Sequence, residues 1–332
     1  MDLNANAFLI KDSVSNIKIL PPSESQNVLE EIKQGLNARQ KYISPKFFYD
    51  KRGSELFEKI TQLVEYYPTQ TEKKLIKDLY SLLNIDFRKF NIIELGSGDH
   101  TKINLFLQQI PVNIISTLTY YPVDISQSAI GNATNFLMSR YPNLSVSGVV
   151  ADFIHQLPQL SFVGKNLFLF FGSTIGNLTP SEIKSFMEDI SSIMQPGDYL
   201  LLGMDLFKDI SVLENAYNDS EGITEAFNLN VLRVINRITR SSLSENDFKH
   251  RAFFNSKMSR IEMHLEASKD MCIDFPEFDQ KINFKKGETI HTENSHKFNK
   301  ESIKVIGDFG NLHLKNIFMD DKKWFSLALY CR

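Results

Sequence analysis

Short apolar runs alternate with amphipathic stretches between residues 71 and 206. The runs within NIIELGSG, TYYPVDIS, SVSGVVADF, NLFLFFGST and PGDYLLLGMDL predict five buried strands, because strands covered on both faces are apolar throughout. Between them, apolar residues recur at helical spacing in TEKKLIKDLYSLL, KINLFLQQI, SQSAIGNATNFLMSRY and TPSEIKSFMEDISSIM. Strands that alternate with helices predict an α/β fold with a doubly wound, mostly parallel sheet.

The remainder of the chain has a different pattern. Helical spacing recurs near Asn27–Leu36, at Ser54–Leu63 and from Lys208 to about Thr239, and residues 252–294 alternate over short distances. The ending FMDDKKWFSLALYCR predicts two strands joined by a charged turn. We therefore predict a sheet domain of residues 71–206 plus 297–332, and a discontinuous α+β domain of residues 1–70 plus 207–296.

Composition narrows the classes of function. The 332 residues carry a net charge of -3 and no dense basic run, which argues against a protein that neutralises nucleic-acid phosphates. No apolar run is long enough to span a bilayer, and the first residues lack the pattern of a signal peptide. Two cysteines far apart in sequence indicate a reducing compartment. We expect a cytoplasmic monomer that binds neither nucleic acid nor a membrane.

Candidate ligand-binding residues lie where the predicted strands end. Gly96 and Gly98, after the first strand, allow a tight turn and close approach of a ligand to the backbone. Thr101 stands where a dinucleotide fingerprint needs a third glycine, so the pattern suits a methyltransferase better than a dehydrogenase. Asp124 ends the second strand and Asp152-Phe153 the third, where carboxylates suit ribose hydroxyls and an adenine amino group. Aspartates at strand ends are also common helix caps, but three signals at three successive strand ends favour a cofactor site.

Longer segments carry a more specific resemblance. They are FFYDKRGSELFEKIT with EYYPT three residues later, IIELGSG, YYPVDIS, FFGSTIGNLTP, PGDYLLLGMDLFKD, LENAYND, AFNLNVL, RIEMHL and GETIHTENSHKF. In them the chain resembles the histidine Nα-methyltransferases of ergothioneine biosynthesis, from about Pro45 to Arg332. The resemblance implies a class I, Rossmann-like methyltransferase sheet with an added substrate domain and S-adenosylmethionine as the cofactor. It also implies methylation of the α-amino nitrogen of L-histidine to the trimethylated betaine, hercynine.

The resemblance assigns roles to residues at matching positions. The cofactor pocket is expected to include, together with Gly98 of the glycine loop, Tyr49, Gly96, Lys102, Asp124, Asp152 and Phe153. The backbone groups of the amino acid are assigned to Gly172, Asn177 and Tyr217, and its imidazole to Tyr66, Met263, Glu293 and Ser295. Tyr49 and Asn177 are the catalytic candidates, with proton removal through Tyr49 or an ordered water as a hypothesis. One departure is Asp99-His100-Thr101, which replaces a small polar stretch before Lys102.

The chemistry of these residue types suits an imidazole. A neutral imidazole offers one donor and one acceptor, which a carboxylate and a hydroxyl at Glu293 and Ser295 can satisfy. Each residue also has a simpler interpretation: Glu293 in a solvated loop, Tyr66 at a helix stop, and Met263 in the core. His291 and His296 lack the partners of a tetrahedral site, so we predict no metal.

Three other functions are compatible with parts of this sequence. The nearest is the same scaffold acting on another amino acid, such as tryptophan or a derivative, although an indole needs more space and no carboxylate. A nucleotide-dependent oxidoreductase is disfavoured by the missing third glycine. A catalytically silent binding protein is disfavoured by the acids at the strand ends and by the full set of polar pocket residues.

Overall fold

The computed structural model describes residues 8–10, 16–20 and 28–332. Tertiary contacts divide the chain into two compact units. The sheet unit comprises Thr71–Leu206, Phe298–Arg332 and the described part of Met1–Ser23. The insert unit comprises Phe207–Lys297 and the described part of Glu24–Gln70.

Strands occur in both units. In chain order they are β1 (Phe8–Ile10), β2 (Asn16–Ile19), β3 (Lys41–Tyr42), β4 (Phe90–Leu95), β5 (Thr119–Asp124), β6 (Ser145–Val150), β7 (Leu160–Phe162), β8 (Lys165–Phe170), β9 (Tyr199–Asp205), β10 (Phe248–Asn255), β11 (Arg260–Ala267), β12 (Met271–Phe275), β13 (Gln280–Phe284), β14 (Thr289–His296), β15 (His313–Met319) and β16 (Phe325–Cys331). The five strands predicted between residues 71 and 206 are β4, β5, β6, β8 and β9.

The helices of the described chain are mostly short. In chain order they are α1 (Val28–Asn37), α2 (Lys51–Ile60), α3 (Tyr67–Ile76), α4 (Leu79–Leu83), α5 (Thr101–Leu107), α6 (Val112–Ile115), α7 (Gln127–Arg140), α8 (Pro180–Ile193), α9 (Ile210–Asn215), α10 (Ile223–Thr239) and α11 (Lys300–Phe309). The single helix predicted over TEKKLIKDLYSLL is divided at Lys77-Asp78 into α3 and α4. None of the described helices is both long and apolar enough to cross a membrane.

The sheet unit is built on eight strands in the order β15-β16-β9-β8-β4-β5-β6-β2. From β2 to β9 neighbouring strands are parallel, and the hairpin of β15 and β16 adds an antiparallel edge next to β9. This confirms the doubly wound class I architecture. The prediction placed all of residues 1–70 in the second domain, whereas β2 pairs with β6 and extends the sheet.

Both faces of this sheet are covered. Ile93 and Phe168 lie in one apolar cluster, and their chain neighbours Ile92 and Leu167 lie in another. All four side chains are fully buried. Because successive strand residues point to opposite faces, burial on both faces explains the uninterrupted apolar runs of the sequence.

Strand β4 marks the point where the strand order reverses. The chain continues from β4 to β5 and β6 on one side and then returns to β8 and β9 on the other. Ligands of open α/β sheets bind beyond the carboxyl ends of the strands at such a reversal. The segments that follow β4, β5, β6 and β8 therefore share the edge where a cofactor is expected.

The insert unit contains a four-stranded sheet in the order β10-β11-β14-β3 and the separate hairpin of β12 and β13. Helix α10 packs against α2, β10 and β11. Asp50 caps α2, since its Oδ1 accepts hydrogen bonds from Gly53 N at 2.9 Å and from Asn230 Nδ2 of α10 at 2.8 Å. Phe48 and Phe227 stack with ring centroids 4.5 Å apart, so an aromatic core holds these helices together.

Candidate functional site

The glycine loop after β4 brings four predicted cofactor residues together. Gly96 and Gly98 have φ angles of 64° and 51°, in the left-handed region that favours glycine. Gly98 N donates a hydrogen bond to Asp124 Oδ2 at 2.9 Å. A side chain at Gly96 would place its Cβ 3.2 Å from two ring atoms of Phe153. The glycines therefore permit both the turn and the close approach of Phe153 to the loop.

The two strand-end aspartates differ in their surroundings. Besides Gly98 N, Asp124 accepts a hydrogen bond from Ser126 N at 2.8 Å, and burial raises the pKa of its carboxyl against the opposing effect of these backbone donors. Asp152 accepts from Ile154 N at 3.1 Å and lies 2.9 Å from Nδ1 of the exposed His155. His155 was not identified from the sequence, and it is a further polar group beside the predicted adenine-binding aspartate.

A buried glutamate that was not identified from the sequence connects Lys102 with Gly172. Glu72 is fully buried; its Oε1 accepts a hydrogen bond from Gly172 N at 2.7 Å, and its Oε2 lies 2.7 Å from Lys102 Nζ. A Cβ at Gly172 would lie 3.1 Å from the same ammonium. The spacing of Glu72 with Leu75 and Ile76 on the apolar stripe of α3 was the available signal, since that stripe faces the core.

Glu94, the acidic residue just before the glycine loop, contacts the neighbouring strand. Glu94 is buried within β4, and Tyr120 donates a hydrogen bond to its Oε2 at 2.5 Å. Burial raises the pKa of Glu94 to about 8, with the Tyr120 hydroxyl opposing the shift. Glu94 thus links β4 to the adjacent strand β5 and stabilises the base of the loop.

Asn177 occupies a short turn between β8 and α8. Residues 174–177 form one 3₁₀ turn, which Ser173 precedes with a φ angle of 56°. The Asn177 side chain is partly exposed and makes no hydrogen bond to another described residue. Its amide is therefore available to a ligand, as the prediction requires, and Gly172 lies at the start of the same segment.

Three residues predicted to surround the imidazole lie on one face of the insert sheet. Met263 of β11 pairs with Glu293 of β14, and Ser295 is two residues further along the same strand. A bulge follows this pair, because His264 pairs with His291 and leaves Thr292 as an extra residue. Glu293 is only 8% exposed, so the segment is a buried strand and not the solvated loop that the simpler interpretation proposed.

Ser295, Tyr217 and Lys297 form a hydrogen-bonded triad. Tyr217 donates its hydroxyl to Ser295 Oγ at 2.7 Å. Lys297 Nζ donates to Ser295 Oγ at 2.8 Å and to the Tyr217 hydroxyl at 3.3 Å. All three side chains are buried. Lys297 was not singled out in the sequence, where it follows the end of a polar run and resembles a surface lysine.

Tyr49 and Tyr66 belong to an aromatic cluster of the same unit. The ring of Phe57 lies 5.6 Å from that of Tyr49 and 6.3 Å from that of Tyr66. Tyr66 also contacts Tyr217 edge to face at 6.1 Å. The simpler interpretation of Tyr66 as a helix stop is wrong, because α2 ends at Ile60 and Tyr66 directly precedes the start of α3 at Tyr67. Its ring packs beside a residue of the triad, and its substrate role stays a prediction.

Burial sets the protonation of two of these side chains. It raises the pKa of Glu293 to about 7, and the nearby Lys297 charge opposes this shift. Tyr49 is partly exposed as a whole, but burial of its hydroxyl and the charges of Glu293 and Tyr217 raise the pKa of that hydroxyl. A neutral phenol and a carboxyl that titrates near neutrality result.

A second polar cluster lies on the opposite face of the insert sheet. Glu262, His264 and His291 offer ligand atoms that lie within 4.8 Å of one another. Arg260 pairs with Glu262 at 2.7 Å, and His264 Nε2 lies 3.1 Å from the same carboxylate. Burial lowers the pKa of both histidines, to about 4 for His291. The arginine already occupies the carboxylate, and the absence of a metal stays a prediction.

The predicted site residues are thus distributed between the units. Those of the sheet unit are Gly96, Gly98, Lys102, Asp124, Asp152, Phe153, Gly172 and Asn177; those of the insert unit are Tyr49, Tyr66, Tyr217, Met263, Glu293 and Ser295. Within the sheet unit, direct contacts join the glycine loop to Asp124 and Lys102 to Glu72. Within the insert unit, they join Tyr217 to Ser295. The ligand roles of all these residues remain predictions.

Comparison with known proteins places the chain in a family. Residues 28–332 match the family described as histidine-specific, SAM-dependent methyltransferases. A histidine N-alpha-methyltransferase of Mycolicibacterium smegmatis is 36% identical over 93% of this chain and 96% of its own length. A histidine N-alpha-methyltransferase of Mycobacterium tuberculosis is 36% identical over 90% of this chain and 93% of its own length. A 4-dimethylallyltryptophan N-methyltransferase of Arthroderma benhamiae is 23% identical over 92% of this chain and 93% of its own length. The predicted resemblance is confirmed, and the chain belongs to the family of SAM-dependent, histidine-specific methyltransferases.

Proposed function

We propose that this enzyme methylates the α-amino nitrogen of L-histidine and produces the trimethylated betaine, hercynine. The observation that carries the proposal is the pairing of a buried carboxyl, Glu293, with a buried hydroxyl, Ser295, on one face of β14. The relatives named for histidine are 36% identical, against 23% for the relative named for a tryptophan derivative. Both observations support histidine over an indole substrate.

The sheet unit has the features that S-adenosylmethionine requires. Each oxygen of Asp124 receives one backbone N–H, which leaves acceptor capacity for two ribose hydroxyls. A Cβ added at Gly98 would meet no atom closer than 4.0 Å, so a ligand can approach its backbone. When bound, S-adenosylmethionine supplies an electrophilic methyl group. The acids, glycines and Phe153 at this edge hold and orient the nucleoside part.

Recognition of the imidazole rests on complementary polarity. Glu293, when ionised, accepts a hydrogen bond from the ring N–H, and the Ser295 hydroxyl donates one to the ring nitrogen that carries no proton. Phenylalanine or leucine would leave both buried groups unpaired, which is costly. Met263 supplies an apolar wall beside Glu293. Because the pKa of Glu293 is about 7, recognition by the carboxylate strengthens as the pH rises through neutrality.

The amine must lose a proton before each methylation. The raised pKa of Tyr49 keeps its hydroxyl protonated at neutral pH, so Tyr49 does not act as a phenolate base. The Tyr49 oxygen can accept a hydrogen bond from the amine while the Tyr49 hydroxyl donates its own proton to water. Aromatic faces such as those of Tyr49 and Tyr66 tolerate the growing positive charge of the product. Asn177 and Gly172 bind the amino and carboxylate groups of the substrate, as the resemblance implies.

The charge of the molecule agrees with a small-molecule substrate. A free amino acid needs no basic surface, in agreement with the net charge of -3. We infer that the enzyme is a cytoplasmic monomer and that it binds neither nucleic acid nor a membrane. Sedimentation of the purified protein at several concentrations tests the monomer directly.

The test of the substrate compares L-histidine with L-tryptophan in the wild type and in Glu293→Ala. We expect the kcat/KM for histidine to fall roughly 100-fold or more in the variant, because the ring N–H loses its acceptor. Glu266→Ala, at a partly exposed glutamate of β11, is the matched control and should retain the preference. Equal activity of the wild type on both amino acids would contradict the proposal.

A further inference from the structure

Lys297 is a buried ammonium group among the predicted substrate residues. Lys297 is only 4% exposed, and its Nζ lies 5.0 Å from the centre of the Tyr217 ring. The backbone of Lys297 is fixed by two hydrogen bonds to Ser259: its N–H donates to the Ser259 carbonyl at 2.8 Å, and Ser259 Oγ donates to its carbonyl at 3.0 Å. A buried ammonium is costly unless it is hydrogen-bonded, and Lys297 Nζ donates to the hydroxyls of Ser295 and Tyr217.

The hydrogen bonds around Ser295 define where its proton points. A serine hydroxyl has one proton to donate and two lone pairs that accept. Ser295 Oγ accepts from Lys297 Nζ at 2.8 Å and from the Tyr217 hydroxyl at 2.7 Å. An ammonium can only donate, so Lys297 cannot receive the Ser295 proton. Both acceptor positions of Ser295 are thus occupied, and its proton is left for another group.

We propose that Lys297 is a specificity-determining positioning residue that fixes the Ser295 hydroxyl as a hydrogen-bond donor toward the substrate ring. The inference rests on the proposed function and deepens it. With Ser295 as the donor and Glu293 as the acceptor on the same face of β14, the site selects a neutral ring that carries one bare nitrogen and one N–H. Without Lys297, the Ser295 hydroxyl can turn and accept a hydrogen bond instead, so a ring without a bare nitrogen is tolerated.

The experiment uses substrates that lack one of the two ring groups. Pyrrolylalanines keep the N–H but have no bare nitrogen, and the ratio of kcat/KM for L-histidine to that for a pyrrolylalanine measures the donor role of Ser295. We expect the wild type to prefer histidine roughly 10- to 100-fold, because the pyrrole leaves a buried donor unpaired. In Lys297→Met this ratio should fall by about tenfold, the cost of one lost hydrogen bond of ordinary strength. Lys297→Arg, which keeps a cationic donor, should restore most of the preference.

A second buried lysine of the insert unit provides the control. Lys208 is buried and donates to the Tyr67 hydroxyl at 2.6 Å, so Lys208→Met removes a comparable ammonium and hydrogen bond elsewhere. We expect that variant to change the melting temperature without changing the substrate ratio. In a double-mutant cycle, Ser295→Ala and Lys297→Met should not be additive on the ratio, since both remove the same donor.

Several outcomes would overturn the inference. A folded Lys297→Met variant with the wild-type ratio would do so, as would equal losses on both substrates that follow the melting temperature alone. If Lys297→Met does not fold, the wild type still decides: equal kcat/KM for histidine and for pyrrolylalanine would exclude a donor at Ser295. Failure of the wild type to methylate histidine would instead overturn the proposed function, so the two failures are distinguishable.

Discussion

Glu293 combines deep burial with a pKa near neutrality, and this has a consequence for stability. Burial raises its pKa from 4.5 to about 7, so the folded protein holds this proton more tightly than the unfolded chain does. The stabilisation is fully present below about pH 4.5 and is lost as the pH rises through about 7. At higher pH the folded state carries a buried negative charge, which the nearby Lys297 charge stabilises in part.

Glu293→Gln removes this titration. We expect the variant to be more stable than the wild type at about pH 8.5, by up to about 3 kcal/mol, with a smaller difference at about pH 5. Urea denaturation at the two pH values measures the effect. Glu55→Gln, on an exposed position of α2, controls for the loss of a glutamate. A difference between Glu293→Gln and the wild type that does not depend on pH would contradict the assigned pKa.

Glu72 is the second residue whose environment makes a clear prediction. Glu72→Gln keeps an oxygen that can accept from Gly172 N, but it leaves the Lys102 ammonium without its counter-charge. We expect a loss of about 1–3 kcal/mol of stability and weaker binding of S-adenosylhomocysteine. Glu72→Ala removes both contacts and should cost more. Urea denaturation and calorimetric titration provide the two readouts, and unchanged binding in Glu72→Gln would exclude a link between this glutamate and the cofactor.

Among the elements, the turn after β4 depends on glycine. Gly96→Ala combines a left-handed backbone with a Cβ that meets the Phe153 ring at 3.2 Å, so we expect a loss of at least about 1–2 kcal/mol. Gly131→Ala in α7 is the matched control, because a Cβ there meets nothing within 4 Å and alanine favours a helix by about 0.5–1 kcal/mol. Thermal unfolding of both variants should therefore show shifts of opposite sign. A neutral Gly96→Ala would contradict the turn.

The elements that the sequence predicted best are those defined by local pattern. Buried parallel strands are apolar throughout, so the pattern of apolar runs located β4, β5, β6, β8 and β9 and the polar residues at their ends. The grouping of Gly98 with Asp124 follows from the general rule that parallel strands end at one edge. The break between α3 and α4 was missed, because Lys77 and Asp78 carry no proline or glycine signal.

Long-range contacts explain most of what could not be predicted. Glu72 meets Gly172 across 100 residues of sequence. Its place on the apolar stripe of α3 indicates burial, but no local pattern identifies the backbone N–H that it binds. Lys297 looked like a surface lysine because its partner Tyr217 is 80 residues away. The cluster of Glu262, His264 and His291 depends on the pairing of β11 with β14 and on the bulge within it.

Across the molecule as a whole, the chain divides its predicted roles between two units that are each discontinuous in sequence. The sheet unit carries the acids and glycines suited to a nucleoside, and the insert unit carries the carboxyl, hydroxyls and aromatic rings suited to an amino acid side chain. The family match covers segments of both units. Family membership and the chemistry of the two units support the same function: this protein methylates the α-amino nitrogen of L-histidine.

Mass spectrometry of the reaction products provides the decisive experiment. The purified protein is mixed with S-adenosylmethionine and an equimolar pool of the common amino acids, and every methylated species is identified. We predict that histidine alone gains methyl groups, up to three on its α-amino nitrogen, and that Glu293→Ala loses this preference. Methylation of a different amino acid while histidine stays unmodified would contradict this conclusion.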